Sequence, residues 1–259
     1  METLASSPYI WLACPGRSSS NALRPHRLAY CHNCFHLFFF MKLVIAATAT
    51  SGAIYLQRLL DYLAPSTGDT SHEIHLVFSS FARQVIHEEI NELRIPETAV
   101  IRHSNRNMNA AFASGSTQFD AMIIIPCSMG TLGRIVAGTS ESLILRSADV
   151  FLKERRKLIL VVRETPWNLI HAKNVTAAIE AGAIFLPAMP SFYSKPNTII
   201  EVADTVVWRV LDQLGLPAPN AYRWKERPHS SFHPSDCIPP KDDSVKEGIG
   251  STEWGGDDT

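Results

Sequence analysis

From residue 41 onward the chain repeats one unit, a short unbroken apolar run followed by an apolar stripe at helical spacing. The runs at 42–48, 74–78, 119–125 and 157–162 show little polar/apolar alternation, the pattern of strands buried on both faces. After the first of them, Leu56, Leu59, Leu60 and Leu63 recur at i, i+3, i+4 and i+7, one face of a helix. A charged amphipathic helix is expected over 80–93, with further helices over 131–138, 141–154 and 168–181. A closing helix carries the stripe Ala203, Val206, Val207, Val210, Leu211 and Leu214. Short strands fit at 99–102 and 183–186, and 103–118 is polar and irregular with a turn at Ser114-Gly115-Ser116. Strands alternating with helices predict the α/β class: a single doubly wound domain, its parallel β-sheet flanked by helices on both faces and joined by right-handed crossovers.

In such a sheet ligands bind beyond the carboxyl ends of the strands. Pro126 is expected to stop the fourth strand, because proline cannot donate to the ladder. Ser128-Met129-Gly130-Thr131 then offers hydroxyls and free N–H groups at a helix start, which suits a phosphate. The first strand runs out into Thr48-Ala49-Thr50-Ser51-Gly52 and straight into a helix, whose N-terminus favours an anion. The second strand ends in Ser79. Each hydroxyl alone is explained by a turn or an N-cap. Three hydroxyl-tipped strand ends on one crevice together suggest a phosphorylated cofactor such as a flavin mononucleotide.

Arg146, Lys153, Arg155, Arg156, Arg163 and Arg209 supply cations, part of them on solvated helix faces. Arg163-Glu164 stands apart because it follows a buried strand directly, where a charge is either paired or functional. A carboxyl beside cations and a bound phosphate can act as acid or base. Phe192-Tyr193-Ser194-Lys195-Pro196 is expected as a loop on the same rim, its tyrosine either packing or donating to a phosphate. His171 reads as a surface or packing histidine, and Cys127 as a small buried residue. The sequence holds no G-x-G-x-x-G, P-loop, H-E-x-x-H, G-x-S-x-G or Asp-rich metal cluster.

A formal net charge of −1 argues against a nucleic-acid partner. The five cysteines, Cys14, Cys31, Cys34, Cys127 and Cys237, are odd in number and mostly peripheral, which fits a reducing cytoplasm better than a disulfide framework. No apolar run approaches the ~20 residues of a membrane-spanning helix, so no membrane partner is expected. Residues 1–40 are rich in Ser, His, Arg and Cys and carry one acidic residue, Glu2. They read as a poorly structured extension: a translated leader before a start at Met41, a transit peptide, or a small metal element around Cys31-His32-Asn33-Cys34. The leader is the favoured reading; a genuine transit peptide would place the protein in mitochondria instead of the cytoplasm. Residues 226–259, rich in Pro, Gly and Asp, cannot build a core and read as a disordered tail.

With these residues in place, the chain from Met41 to about Trp224 resembles the UbiX flavin prenyltransferases of the flavin-containing cysteine decarboxylase-like superfamily. The resemblance rests on Ser51-Gly52-Ala53-Ile54-Tyr55, Pro126-Cys127-Ser128-Met129-Gly130-Thr131-Leu132, Arg146-Ser147-Ala148-Asp149-Val150, Leu152-Lys153-Glu154-Arg155-Arg156, Arg163-Glu164-Thr165-Pro166 and Phe192-Tyr193, with Arg209 and Trp224 at matching spacing. It implies a flavodoxin-like, Rossmann-like domain over 41–225 that joins a dimethylallyl group from dimethylallyl monophosphate to N5 and C6 of reduced FMN, with no metal required. The product, prenylated FMN, is the cofactor of UbiD-type decarboxylases. By the same resemblance Ala49, Thr50, Ser51, Ser79, Ser128, Met129, Gly130, Thr131 and Arg163 would hold FMN. Arg146, Lys153, Tyr193 and Arg209 would take the prenyl phosphate. Glu164 would move protons, and Ser51, Glu89 and Trp224 would line the reacting centre. Homo-oligomers, trimers assembled into a dodecamer, are implied as well.

The family usually has Gly-Ala-Ser-Gly at the first turn, where this chain has Ala49-Thr50-Ser51-Gly52. If that position requires φ > 0, Ala49 costs on the order of 1 kcal/mol. Two other functions stay open at this stage: an FMN-dependent decarboxylase of the same fold, and a non-catalytic FMN-binding carrier.

Overall fold

Six strands form the sheet of the computed structural model, which describes residues 40–64, 72–95 and 100–225. They are β1 (Met41–Ala47), β2 (His72–Phe78), β3 (Val100–His103), β4 (Ala121–Cys127), β5 (Lys157–Val162) and β6 (Ile184–Pro187). All pair in parallel, in the order β3-β2-β1-β4-β5-β6. Strand order reverses at β1, so the loops leaving β1 and β4 part to opposite faces and open a crevice between them. The helices are α1 (Ala53–Leu63), α2 (Ala82–Ile90), α3 (Met129–Val136), α4 (Leu143–Lys153), α5 (Leu169–Glu180) and α6 (Ile199–Leu214).

Strand alternation decides which helices lie where. Leu43, Ile45, Ile123 and Ile159 point into one core with α1, α2 and α6, while Val44, Ala46, Met122 and Leu158 point into the other with α3, α4 and α5. All eight side chains are fully buried, which explains runs apolar on both faces. Each of the seven larger side chains, all but Ala46, contributes about 1.5–3 kcal/mol by leaving water. Between α1 and α6, Arg58 holds Asp204 through two bonds of 2.7 and 3.0 Å.

The helix starts are legible as caps: Ser128, Ser142, Asn168 and Thr198 each accept a hydrogen bond from the N–H three residues on. His171 belongs to this set, its backbone N–H donating to Asn168 and its ring completing a capping box. Cys127 is fully buried.

One expectation is corrected. Pro126 does not stop β4, which continues through a cis Ile125–Pro126 bond to Cys127. The register with β5 shifts between Ile124 and Cys127, so the proline falls at an irregularity where no ladder donor is needed. The polar stretch before β4 also holds one 3₁₀ turn, Ala111–Ala113, anchored by buried Phe112.

The readings of residues 1–40 as leader, transit peptide or metal element, and of 226–259 as a tail, fall, but for Phe40, outside the described residues. Among the described residues no helix is long and apolar enough to cross a membrane.

Candidate functional site

The carboxyl ends of β1, β2, β4 and β5 are stitched into one rim. Thr48 is its centre: its hydroxyl donates to Pro126 O at 3.0 Å and accepts from Ser128 N–H at 2.8 Å. Ser79 N–H donates to Ala47 O, and Arg163 N–H to Cys127 O. The Thr50 hydroxyl donates to Arg163 O at 3.1 Å, closing the first loop onto the fifth strand end. Ala49, Thr50, Ser51, Ser79, Ser128, Thr131, Arg163 and Glu164 are thereby brought to one edge of the sheet. Buried Thr48 stands at the end of the first apolar run but is not one of the expected cofactor-binding residues, which begin at Ala49.

Two helix N-termini reach this rim, and they differ. At α3 the Ser128 side chain accepts from Thr131 N–H at 3.2 Å and meets the Thr131 hydroxyl at 3.0 Å. The first two N–H groups of α3, on Met129 and Gly130, have no partner among the described residues. Gly130 is exposed, and a side chain added there would meet nothing within 4 Å. This end is open to an anion. At α1 a carboxylate already sits on the helix start: Glu89, reaching over from α2, accepts from the N-cap Gly52 N–H at 2.9 Å and from the first helical N–H, on Ala53, at 2.7 Å. The anion expected at that helix start is therefore supplied by the protein. Burial pushes the Glu89 pKa up, but hydrogen bonds from Ser51, Gly52 and Ala53 and the charge of Arg163 outweigh it, and the net shift is downward.

Gly52 occupies the left-handed region at φ 118, and an added Cβ would come within 2.7 Å of the Tyr55 ring. Ala49 does not have positive φ, so the strain considered for it does not arise. Burial pushes the Cys127 thiol up to about 12, which removes it as a nucleophile.

Half-buried Arg163 lies near enough to Glu89 and Tyr55 for its charge to be felt by both, yet no carboxylate pairs with it among the described residues. Glu164 accepts from Thr165 N–H at 3.1 Å, and its backbone carbonyl accepts from the Trp167 indole at 3.0 Å. Around Ser79 opens a cleft of about 410 Å³ whose cations, Arg83, Arg102 and Arg106, carry no motif a sequence reading could catch.

The remaining candidates divide. Tyr193, Arg209 and Trp224 line a cavity of about 360 Å³ together with Tyr222 and Arg223. Trp224 meets Tyr193 edge-on at 5.2 Å, and Tyr222 stacks on it at 6.4 Å. Arg146 and Lys153 are not there. Both belong to α4, on the opposite face of the sheet from α6 and Arg209, and Lys153 lies at the amino-terminal end of β5. Arg146 donates to Ala113 O and pairs with Asp149 at 3.0 Å, and Lys153 pairs with Glu154. The four residues expected to share one phosphate therefore do not converge within a single chain. Arg155 and Arg156 are structural: the first ends α4 at φ 56, and the second donates to Gly115 O and Thr117 O.

A parallel doubly wound sheet with a hydroxyl-lined, anion-accepting crevice at its switch point is the frame of a flavin- or nucleotide-binding protein, and residues 40–210 match the family model described as Flavoprotein. A probable UbiX-like flavin prenyltransferase of Bacillus subtilis (strain 168) is 42% identical over 186 residues, which cover 71% of this chain and 89% of that one. A solved structure of AnUbiX (PadA1) in complex with FMN and dimethylallyl pyrophosphate matches at a TM-score of 0.66 and 37% identity, over 72% of this chain and 98% of the other. A dodecameric FMN-dependent UbiX-like decarboxylase from Escherichia coli O157:H7 matches at a TM-score of 0.65 and 40% identity, over 72% and 100%. The chain belongs to the UbiX flavin prenyltransferase family.

Proposed function

We propose that the protein is a flavin prenyltransferase that moves a dimethylallyl group from dimethylallyl monophosphate to N5 and C6 of reduced FMN. The observation that carries this reading is a pair of separate anion-accepting places, the α3 N-terminus with its hydroxyls and the aromatic-walled cavity around Arg209. A decarboxylase of the same fold, the name borne by the E. coli O157:H7 relative, has use for the first place alone.

The residues fit FMN. Exposed Ala49 and Ser51, the open Met129 and Gly130 N–H groups and the Ser79, Ser128 and Thr131 hydroxyls would hold it, with Arg163 beside them. Reduced flavin, when bound, supplies the electron-rich N5 and C6. The chain supplies the rest. Arg209 and Tyr193 hold the phosphate as its C–O bond breaks, stabilising charge where it develops. Tyr193 and Trp224 present aromatic faces to the allylic cation. Glu164 gives a proton to the departing phosphate and takes the one lost from C6. Ser51 and Glu89 fix the turn on which the reacting centre rests. Because protein cations hold the leaving group, the chemistry needs no metal.

Arg146 and Lys153 reach that phosphate from α4 of a neighbouring copy, so the working site is shared between subunits of a homo-oligomer, trimeric or dodecameric. The recipient of the product is a UbiD-type decarboxylase, the compartment is the cytoplasm, and the catalytic domain spans 41–225.

Release of inorganic phosphate from dimethylallyl monophosphate tests this reading. It is expected only with reduced FMN, and to fall roughly 10²-fold or more in Lys153→Ala and in Arg209→Ala while FMN affinity stays unchanged. Phosphate release without flavin, or full activity in both variants, would contradict it.

A further inference from the structure

The carboxylate of Asp212 joins three parts of the cavity just described. It lies on α6 one turn beyond Arg209 and is largely buried, 17% exposed. Its Oδ2 accepts from Arg209 Nη1 at 2.7 Å and from Arg223 Nη1 at 2.8 Å, and its Oδ1 accepts from Arg223 Nη2 at 2.7 Å. The Arg223 contact is a two-bond fork, the geometry that fixes orientation as well as distance. Between the two arginines the chain reverses at Gly215 (φ 77) and is pinned by buried Leu216 and Ala218. Arg223 is flanked by Tyr222 and Trp224, the two rings that bracket Tyr193. Holding Arg223 therefore holds both aromatic walls.

We propose that Asp212 is a positioning residue for the prenyl donor, orienting Arg209 toward the phosphate and, through Arg223, setting Trp224 and Tyr222 against Tyr193. The proposal rests on the reading of this cavity as the donor pocket. Arg209 is 63% exposed along its side chain, and a long exposed side chain spreads over many rotamers unless it is tethered. The tether uses one of its five N–H donors and leaves the others for phosphate oxygens. Hydrogen bonds from Arg223, reinforced by the charges of both arginines against the effect of burial, hold the Asp212 carboxyl below the usual range, so the tether stays ionised at neutral pH.

The test uses the full chain with Asp212→Asn, Asp212→Glu and Arg223→Lys, each also made in Trp224→Phe so that Trp224 emission is obtained by difference. In Asp212→Asn the KM for dimethylallyl monophosphate is expected to rise about 10-fold or more, with kcat within about 3-fold and FMN affinity within about 2-fold. Trp224 emission in the ligand-free protein is expected to shift red, and Asp212→Glu to recover part of both effects. Arg223→Lys, which keeps the charge and loses the fork, is expected to shift the emission in the same way. Asp212→Asn combined with Arg223→Lys should fall short of the sum of the two single effects. Unchanged donor KM and unchanged Trp224 emission in Asp212→Asn would overturn the proposal, as would fully additive effects. If the wild-type protein makes no prenylated flavin, the functional reading fails separately. Ligand-free Trp224 emission then still decides whether Asp212 sets the walls, and quenching by added dimethylallyl monophosphate whether it serves this ligand.

Discussion

Glu89 shows how one carboxylate can serve a helix and a site at once. It takes the N–H groups of Gly52 and Ala53, where α1 has no side-chain cap of its own, and it draws in the Ser51 hydroxyl. A capping interaction of this kind is worth on the order of 1 kcal/mol, lowered here by solvent screening because the group is largely exposed. Its folded pKa lies below the ordinary carboxylate value. The stability it contributes is therefore complete above the unfolded pKa and is lost as pH falls through the folded one. Glu89→Gln is expected to melt earlier than wild type at pH 7, with the gap closing below about pH 4. A gap in melting temperature that stays constant down to pH 3 would mean that the charge has no part in the cap.

At the scale of elements, the β1–α1 turn concentrates its constraint in Gly52. Only there does φ enter the left-handed region, and only there does an added Cβ run into the Tyr55 ring, at 2.7 Å. Gly52→Ala is expected to cost roughly 1–3 kcal/mol and to weaken FMN binding, whereas Ala49→Gly should leave the FMN Kd within about 2-fold. Flavin fluorescence quenching measures both. A large gain in affinity for Ala49→Gly would show that the methyl group obstructs the flavin after all.

The same turn marks how far the sequence could be read. The hydroxyls of Ser79, Ser128 and Thr131 are local signals, since an apolar run followed by a small polar residue and a helical stripe marks each of them. Other features depend on chain segments far apart. Glu89 reaches Gly52 across 37 residues, and Thr48 reaches Ser128 across 80, so neither contact follows from spacing. The passage of β4 through Pro126 depends on where the register with β5 shifts, which is a property of the pair of strands. Asp212 carries no signal in the sequence, because Arg223 comes against it only when the chain folds back beyond α6.

Over the whole molecule the sheet separates what the reaction would need together. Arg209 and Tyr193 belong to the α6 side and Arg146 and Lys153 to the α4 side, so under the proposed assignment one chain would not close a donor site by itself. Large exposed side chains near the β6 edge, among them Leu169, Ile170, Met189, Phe192 and Ile199, are the surface a neighbouring copy would cover. Mixing subunits tests this. Lys153→Ala and Arg209→Ala, each inactive alone, are expected to regain about one quarter of wild-type activity when unfolded and reassembled together, the chance that an interface draws its intact half from each parent. No recovery in verified mixed oligomers would place both residues in sites built from a single chain.

Whether this protein attaches a five-carbon group to a flavin is read most plainly from the mass of the flavin it releases. Reduced FMN and dimethylallyl monophosphate, incubated with the protein without oxygen, are expected to yield a flavin heavier by one C5H8 unit. Glu164→Gln should lower the yield by roughly 10²-fold or more while still binding FMN, the loss expected when a general acid–base group is removed. FMN recovered at its original mass from protein that binds both molecules would contradict the account.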